Sequence, residues 1–174
     1  MVTELRSVPP RGREPELHMR VSSDWKEVDR VYEEVGRFLG EWELTDEAID
    51  RCTMVVCELV ENGIKYGHFG RIGDAVTVYL AIGNGTISVQ VTNPIGPASR
   101  NHLPLLDRTI QWVRGFQAPF EAFVARMKAI SREPIETDKS RLGLLRVTYE
   151  GRAMLDFYVE EDEMLSVSAV TSID

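Results

Sequence analysis

The sequence predicts an α+β fold, a two-layer sandwich in which helices cover one face of a mostly antiparallel sheet. Two long segments with apolar residues every three or four positions predict amphipathic helices near the start of the chain. Two pairs of short segments rich in Val, Ile and Tyr predict strands with tight connections. The predicted order is strand, two helices, two strands, helical insert, helix and two strands, which favours a layered α+β architecture.

The length and composition predict one globular domain. The chain has 174 residues, of which 43% are hydrophobic and 28% charged. Residues 1–15 contain three prolines and no periodic pattern, so we expect a flexible tail there and a single domain over residues 16–174. The net charge of −8 disfavours nucleic acid as a partner, because phosphates require a cationic face.

The sequence also favours a cytoplasmic location. It has no basic amphipathic stretch typical of membrane-surface proteins, and no apolar run reaches the roughly 20 residues that cross a bilayer. Residues 1–13 lack the apolar segment of a secretory signal. Cys52 and Cys57 project in different directions from one predicted helix, which suits a reducing compartment. The three histidines have no partners at zinc-ligand spacing, so we expect no metal unless a ligand brings it.

The first half of the chain is predicted to form a strand followed by two helices. Residues 16–22 alternate enough for a strand, and Asp24 with Glu27 forms a predicted capping pair for the first helix. Its apolar stripe comprises Trp25, Val28, Val31, Val35, Phe38, Leu39 and Trp42. Thr45 is the predicted N-cap of a second helix that ends near Tyr66, with Gly67 as its stop. The predicted core face of that helix comprises Ile49, Cys52, Val56, Leu59, Val60 and Gly63.

The second half begins with a hairpin. Residues 75–82 and 86–91 are predicted strands joined at Gly83-Asn84-Gly85, a strong hairpin signal. Residues 97–134 return to helical spacing, and Pro119 predicts a helix pair or a kink there. A short helix over residues 140–150 and strands over 154–159 and 164–170 complete the chain.

The second helix carries the most informative stretch of the sequence, Val56-Cys57-Glu58-Leu59-Val60-Glu61-Asn62-Gly63-Ile64-Lys65-Tyr66-Gly67. At about 3.6 residues per turn, Glu58, Asn62 and Lys65 share one face, with Tyr66 at its edge. An Asn carbonyl is a hard oxygen ligand suited to Mg²⁺, and a carboxylate one turn away can accept a proton from an attacking hydroxyl. The alternative is a solvated helix face on which Glu61 and Lys65 form an ordinary ion pair.

This stretch resembles the Glu-x-x-x-Asn-x-x-x-(His/Tyr)-Gly helix motif of the GHKL ATP-binding superfamily, and looks closest to the bacterial anti-sigma-factor serine/threonine kinases. The resemblance implies a Bergerat-like fold that binds ATP and Mg²⁺. It makes Glu58 the general base and Asn62 the Mg²⁺ ligand, and it places Tyr66 at the aromatic position beside Lys65. The element order matches over residues 16–170, but only this helix is locally specific.

The family's two glycine motifs are reduced in this sequence. The strand after the hairpin ends Val91-Thr92-Asn93-Pro94-Ile95-Gly96, where Asn93 stands for the family's Asp and would accept the adenine amino group. Gly96 is one of the expected glycines, and a plain turn is the alternative. The second motif is reduced to Gly143, with Ser140 and Arg141 before it as candidate phosphate-binding residues. An ordinary capped surface helix would have the same sequence.

Residues 97–139 occupy the place of the family's ATP lid but carry many apolar side chains. They include Trp112, Phe116, Phe120, Phe123 and Met127. These residues would pack across the nucleotide cleft, on a second copy of the chain in a homodimer, or on a partner protein. The insert is therefore predicted to be a helical lid with a core or contact role.

The leading hypothesis is a bacterial regulatory ATP-binding protein that phosphorylates serine or threonine on a small partner. The partner implied by the resemblance is an anti-sigma antagonist-like protein or a sigma factor. The alternative is a scaffold that has lost ATP turnover and acts as a protein-binding adaptor. The reduced glycine motifs favour the adaptor, and the intact Glu58 and Asn62 pair favours the kinase.

Overall fold

The computed structural model describes residues 15–115, 142–160 and 163–173, and four residues between the first two ranges, 121, 124, 125 and 128. The described helices are α1 (Glu27–Gly40), α2 (Asp46–Tyr66), α3 (Pro97–Arg100), α4 (Leu103–Arg114) and α5 (Leu142–Tyr149). The described strands are β1 (Glu16–Val21), β2 (Val76–Gly83), β3 (Thr86–Pro94), β4 (Met154–Val159) and β5 (Met164–Ser172). The predicted tail falls on residues that, apart from Pro15, lie outside this description.

The five strands form one sheet in the order β1-β2-β3-β5-β4, and every neighbouring pair is antiparallel. Inward-facing residues alternate with polar ones, as a sheet with one covered face requires. The inward set includes Val76, Val78, Leu80, Ile87, Val89, Val91, Leu165, Val167 and Ala169, which belong to the hydrophobic core with the buried faces of α1 and α2. The predicted α+β sandwich is confirmed.

The opposite face of the sheet is polar. Thr92 and Ser166 face each other across β3 and β5, with their hydroxyl oxygens 2.7 Å apart. The amide of Gln90 donates to the Tyr158 hydroxyl at 3.0 Å. These cross-strand contacts stabilise the sheet from the side that the described helices leave open.

The β2–β3 turn confirms the hairpin prediction. Gly83 pairs with Thr86, so the turn consists of Asn84 and Gly85. Both residues have positive φ, 52° and 75°, which is the conformation that an Asn-Gly pair favours in a two-residue hairpin.

The start of α1 differs from the prediction. Asp24 Oδ1 accepts the backbone N–H of Lys26 at 3.0 Å, which forms a turn before the helix, and Lys26 at the N-cap position makes no side-chain capping hydrogen bond. The helix begins only at Glu27, whose carboxylate pairs with Arg30 at 2.6 Å instead of closing back on Asp24. Trp25 therefore precedes the helix and is 54% exposed, so its place in the core stripe was wrong.

Helix α2 begins and ends as predicted, but Gly67 acts differently. The Thr45 side chain accepts the N–H of Ala48 at 3.2 Å and caps the helix. Gly67 is extended, with φ −71° and ψ 162°, rather than left-handed. A Cβ at this position would lie 2.5 Å from the Gly63 carbonyl oxygen and 2.6 Å from the Phe69 ring, so glycine is required by close packing and not by backbone handedness.

The connection after β3 places two helices beside the sheet. Arg100 of α3 pairs with Glu163 at 2.7 Å, and Arg114 at the end of α4 donates to the Leu155 carbonyl of β4 at 2.6 Å. The predicted break near Pro119 lies outside the described residues, as do the side chains of Phe116, Phe120, Phe123 and Met127. Of the predicted lid, the structure therefore describes residues 97–115 and, beyond them, only residues 121, 124, 125 and 128.

Candidate functional site

A cleft of about 820 Å³ lies between the sheet and helices α2, α4 and α5. Its floor includes Val91, Leu165 and Val167 from the core face of the sheet, so its base is apolar. Its walls carry a small number of polar groups, an arrangement typical of small-molecule sites. The polar and charged lining residues are Glu58, Glu61, Asn62, Lys65, Tyr66, Asn93, Ser99, His102, Thr109 and Arg146.

Helix α2 turns its polar face into this cleft. The Thr45 cap fixes where the helix begins, and its buried residues, such as Cys52, Val56 and Val60, fix its rotation. Glu58, Asn62, Lys65 and Tyr66 consequently line one cavity. The Glu58 side chain is only 15% exposed, so this part of the helix is not an ordinary solvated face.

Glu58 has a partner that sequence reasoning missed. The Arg146 guanidinium of α5 donates to Glu58 Oε1 at 2.5 Å. The same guanidinium lies 3.3 Å from the Glu150 carboxylate, one turn further along α5. Arg146 therefore joins α5 to α2 at the wall of the cleft.

The environment raises the pKa of Glu58. Burial is the main cause, the nearby charges of Glu61 and Glu150 act in the same direction, and Arg146 opposes them. A carboxylate with a raised pKa is a better proton acceptor, which is the property that a general base needs. Proton acceptance at Oε1 also requires that the Arg146 contact be released.

Gly143 allows α5 to approach α2 closely. A Cβ at this position would collide with the Glu58 carboxylate and would lie 3.7 Å from Asn62 Nδ2. Gly143 also lines the cleft. Three residues predicted for the site, Glu58, Asn62 and Gly143, are thus brought together by two helices.

Asn93 lies at the end of β3 and is 3% exposed. Its Nδ2 donates to the Pro94 carbonyl at 3.1 Å, which orients the amide. A Cβ placed on Gly63 would lie 3.5 Å from Asn93 Oδ1, so the amide oxygen points toward α2. Because Asn93 lines the cleft, this oxygen is a candidate acceptor for a donor group of a ligand.

Gly96 lies outside the group of residues that line the cleft. A Cβ at Gly96 would lie 2.7 Å from Cγ of His68, whose backbone N–H donates to the Pro94 carbonyl at 2.8 Å. Glycine at position 96 therefore leaves room for the His68 ring. Ser140 and Arg141 lie outside the described residues.

Aromatic rings form the other wall of the cleft. The Tyr66 and His102 rings lie 5.2 Å apart, and Lys65 Nζ lies 5.5 Å from the centre of the Tyr66 ring. His102 precedes α4, whose Leu103, Leu106 and Thr109 also line the cavity. These residues carry no site motif in the sequence, where the segment is predicted to be a lid with apolar contacts, so their place in the cleft is evident only from the fold.

The described residues contain no cluster of three or more His, Cys, Asp or Glu side chains suited to a metal ion. Asn62 contributes one amide oxygen, so a Mg²⁺ ion here would need further oxygens from a bound phosphate and from water. Among the described helices, none has the length and apolar character to span a membrane.

The two cysteines are buried and unpaired. Burial raises the pKa of Cys52 to about 11 and that of Cys57 to about 12, with the charges of Glu61 and Glu58 adding to the effect at Cys57. Both thiols are therefore protonated near neutral pH and act as core side chains.

No family model and no curated protein matches this chain. A solved structure does match, a chain in the crystal structure of the SiaB-SiaC complex from Pseudomonas aeruginosa, with a TM-score of 0.67 and 19% sequence identity. The match covers 89% of this chain and 88% of that chain.

The expected membership of the GHKL superfamily was therefore wrong, because no family model supports it and the matching structure is described as a SiaB-SiaC complex. The structure gives a physical reason for the error. Only the α2 motif was specific, and Gly96, one of the two glycine matches, packs on His68 instead of lining the cleft. At 19% identity, what the chain shares with the SiaB-SiaC structure is its fold.

Proposed function

We propose that this chain is a regulatory protein that binds Mg²⁺-ATP in the cleft and transfers a phosphoryl group to a serine or threonine of a small partner protein. The observation that carries the proposal is the placement of Glu58 and Asn62, one turn apart, in the wall of an 820 Å³ cavity. This volume lies within the range of sites that enclose drug-sized ligands. The matching solved structure, a complex of two proteins, supports partner binding.

Each residue has a defined part in this proposal. Asn62 supplies an amide oxygen to Mg²⁺, and Asn93 accepts the amino group of adenine through Oδ1. Tyr66 and His102, whose rings lie 5.2 Å apart in the cleft lining, contact the ligand. Bound Mg²⁺-ATP supplies the phosphoryl group and the cation that neutralises its charge. Glu58 would accept the proton of the partner's hydroxyl as that oxygen bonds to the γ-phosphorus, while the bond from this phosphorus to the β–γ bridging oxygen breaks and ADP leaves.

The proposal is tested by phosphoryl transfer to a partner that co-purifies with the chain from its own cells. Labelled ATP should transfer its γ-phosphate to serine or threonine of that partner. Glu58→Ala should abolish transfer without weakening ATP binding, because the carboxylate acts on the hydroxyl and does not hold the nucleotide. Transfer that survives in Glu58→Ala would show that the role of Glu58 is wrong.

The second candidate is an adaptor that binds a partner without ATP turnover. The observation that favours it is the 2.5 Å contact between Arg146 and Glu58, which occupies the proposed base. The reduced glycine motifs act in the same direction. The adaptor predicts that Glu58→Ala leaves partner binding intact and that no ATP-dependent labelling occurs in either protein.

A further inference from the structure

Arg146 connects the inside of the cleft to its rim. Its Nη1 donates to the largely buried Glu58, whereas its Nε and Nη2 lie 3.3 Å from Glu150. The Arg146 side chain is 42% exposed, compared with 15% for Glu58. One guanidinium is therefore shared between a carboxylate in the cleft and a carboxylate at the surface.

A polyphosphate in this cleft would lie near two carboxylates and would need a cationic side chain to bind it. Among the described lining residues, the carboxylates are Glu58 and Glu61, and the basic side chains with a permanent charge are Lys65 and Arg146. Lys65 lies beside Tyr66, at the wall formed with His102. Arg146 instead contacts Glu58, beside which Asn62 and Gly143 also lie. The guanidinium therefore lies at the Glu58 end of the cleft, where α5 and α2 meet beside Gly143.

We propose that Arg146 binds the phosphates of the nucleotide and that Glu58 and the phosphates compete for it, an inference that rests on the proposed function. The planar guanidinium binds phosphate as readily as carboxylate, with two parallel hydrogen bonds. Glu150 lies one turn after Arg146 on the same helix, so its contacts keep the guanidinium at the cleft while Nη1 changes partner.

This exchange links two properties of the site. Without a nucleotide, Glu58 is held by Arg146 and its Oε1 is occupied. When phosphate takes Nη1, Oε1 becomes available to accept a proton. Arg146 is therefore a phosphate-binding residue that also positions Glu58, and the nucleotide itself releases the base.

If Glu58 and the phosphates compete for Arg146, replacing Arg146 and replacing Glu58 should change the affinity for Mg²⁺-ATP in opposite directions. In calorimetric titrations with Mg²⁺-ATP, Arg146→Gln should weaken binding by about tenfold or more, because a charged hydrogen bond to phosphate is lost. Glu58→Gln should tighten binding by about threefold or more, because the competing charge is removed. Adenosine, which carries no phosphate, should bind both variants within about twofold of the wild type.

A matched control separates this effect from general charge. Arg152 lies just after α5 and pairs with Glu47 at 3.4 Å, outside the cleft lining. Arg152→Gln makes the same charge change and should leave ATP affinity within about twofold of wild type. Arg146→Lys keeps the charge but loses the planar fork, so its affinity should fall between those of Arg146→Gln and the wild type.

The outcomes distinguish this inference from the proposed function. If the wild type binds no ATP, both fail. If the wild type binds ATP but Glu58→Gln weakens that binding, or Arg146→Gln leaves it unchanged, the exchange is wrong and nucleotide binding stands. A purely structural salt bridge predicts that the two variants change affinity in the same direction.

Discussion

At the scale of single residues, the cleft depends on how closely Gly143 approaches α2. Its backbone lies where any Cβ would collide with the Glu58 carboxylate. Gly36 in α1 is a useful contrast, because a Cβ there meets nothing within 4 Å. The same substitution at the two positions therefore separates steric effects at the cleft from helix propensity.

Gly143→Ala should lower the free energy of unfolding by about 1–3 kcal/mol, because the carboxylate or α5 must shift. Gly36→Ala should raise it by about 0.5–1 kcal/mol, because alanine is the better helix former. Urea unfolding of both variants measures this. Equal effects at the two glycines would contradict the close approach of α5 to Glu58.

The raised pKa of Glu58 makes stability depend on pH. Because its folded pKa exceeds the ordinary glutamate value of 4.5, the folded state binds this proton more tightly than the unfolded state. That contribution to stability is fully present below pH 4.5 and is lost as the pH rises through the higher folded value. Glutamine does not titrate, so the Glu58→Gln variant does not show this loss of stability with rising pH.

The free energy of unfolding of Glu58→Gln minus that of the wild type should therefore be larger at pH 7 than at pH 4, which means that the variant gains stability relative to the wild type as the pH rises. Urea unfolding at a series of pH values measures the difference. The control is Glu33→Gln, which removes a carboxylate from an exposed position on α1. If the Glu58→Gln difference falls with rising pH, the Arg146 contact outweighs burial and the pKa of Glu58 is lowered, not raised.

Residue-level prediction succeeded where one helix decides the geometry. The helical period places Glu58, Asn62 and Lys65 on one face, and all three line the cleft. Arg146 could not be paired with Glu58 from the sequence, because 88 positions separate them and the contact exists only after α5 packs on α2. The roles assigned to these residues stay predictions.

At the scale of elements, α2 is the helix that positions the site. Its N-cap, Thr45, accepts a hydrogen bond from Ala48 and sets the start of the helix. Thr45→Ala should reduce the free energy of unfolding by about 1 kcal/mol, because the N–H of Ala48 loses its acceptor. Denaturant unfolding measures the loss.

Thr45→Ser is the control for this prediction, because serine keeps the capping oxygen. Its free energy of unfolding should remain within about 0.5 kcal/mol of the wild type. A loss in Thr45→Ser equal to that in Thr45→Ala would show that the methyl group, and not the cap, carries the effect.

Turns and helix ends that depend on neighbouring residues could be predicted from the sequence. The Asn84-Gly85 turn and the Thr45 cap depend on neighbouring residues, and the structure contains both. The predicted start of α1 was wrong because Glu27 forms an ion pair with Arg30, and a capping pattern alone does not predict that pairing. The helix ends before Gly67 as predicted, but glycine is needed there because a Cβ would collide with the Gly63 carbonyl oxygen and the Phe69 ring.

At the scale of the whole molecule, stability depends on the core between the sheet and the helices. Leu80 on β2 is fully buried, whereas Met154 on β4 is 76% exposed. Leu80→Ala should cost about 2–5 kcal/mol of unfolding free energy through lost burial and a cavity. Met154→Ala should stay within about 0.5 kcal/mol of wild type. Similar losses at both positions in urea unfolding would contradict this sheet topology.

The layered fold was predictable because alternation and helical spacing report directly on burial. The sheet order, in which β5 lies between β3 and β4, was not predicted, because pairing between distant strands is settled by packing. Family membership failed for a different reason. A single helix motif specifies a local face, and that face can arise without the phosphate-binding glycine turns of the superfamily.

The central claim is that the cleft beside Glu58 and Asn62 binds a magnesium nucleotide, and thermal unfolding tests it most directly. ATP with Mg²⁺ at 100 times its Kd should stabilise the wild type by about 2.7 kcal/mol, which raises the Tm by about 5–10 °C. The shift should disappear without Mg²⁺ and in Asn62→Ala, but persist in Asn101→Ala, whose exposed side chain lies outside the cleft lining. An unchanged wild-type Tm at millimolar Mg²⁺-ATP, or an equal shift in Asn62→Ala, would contradict the claim.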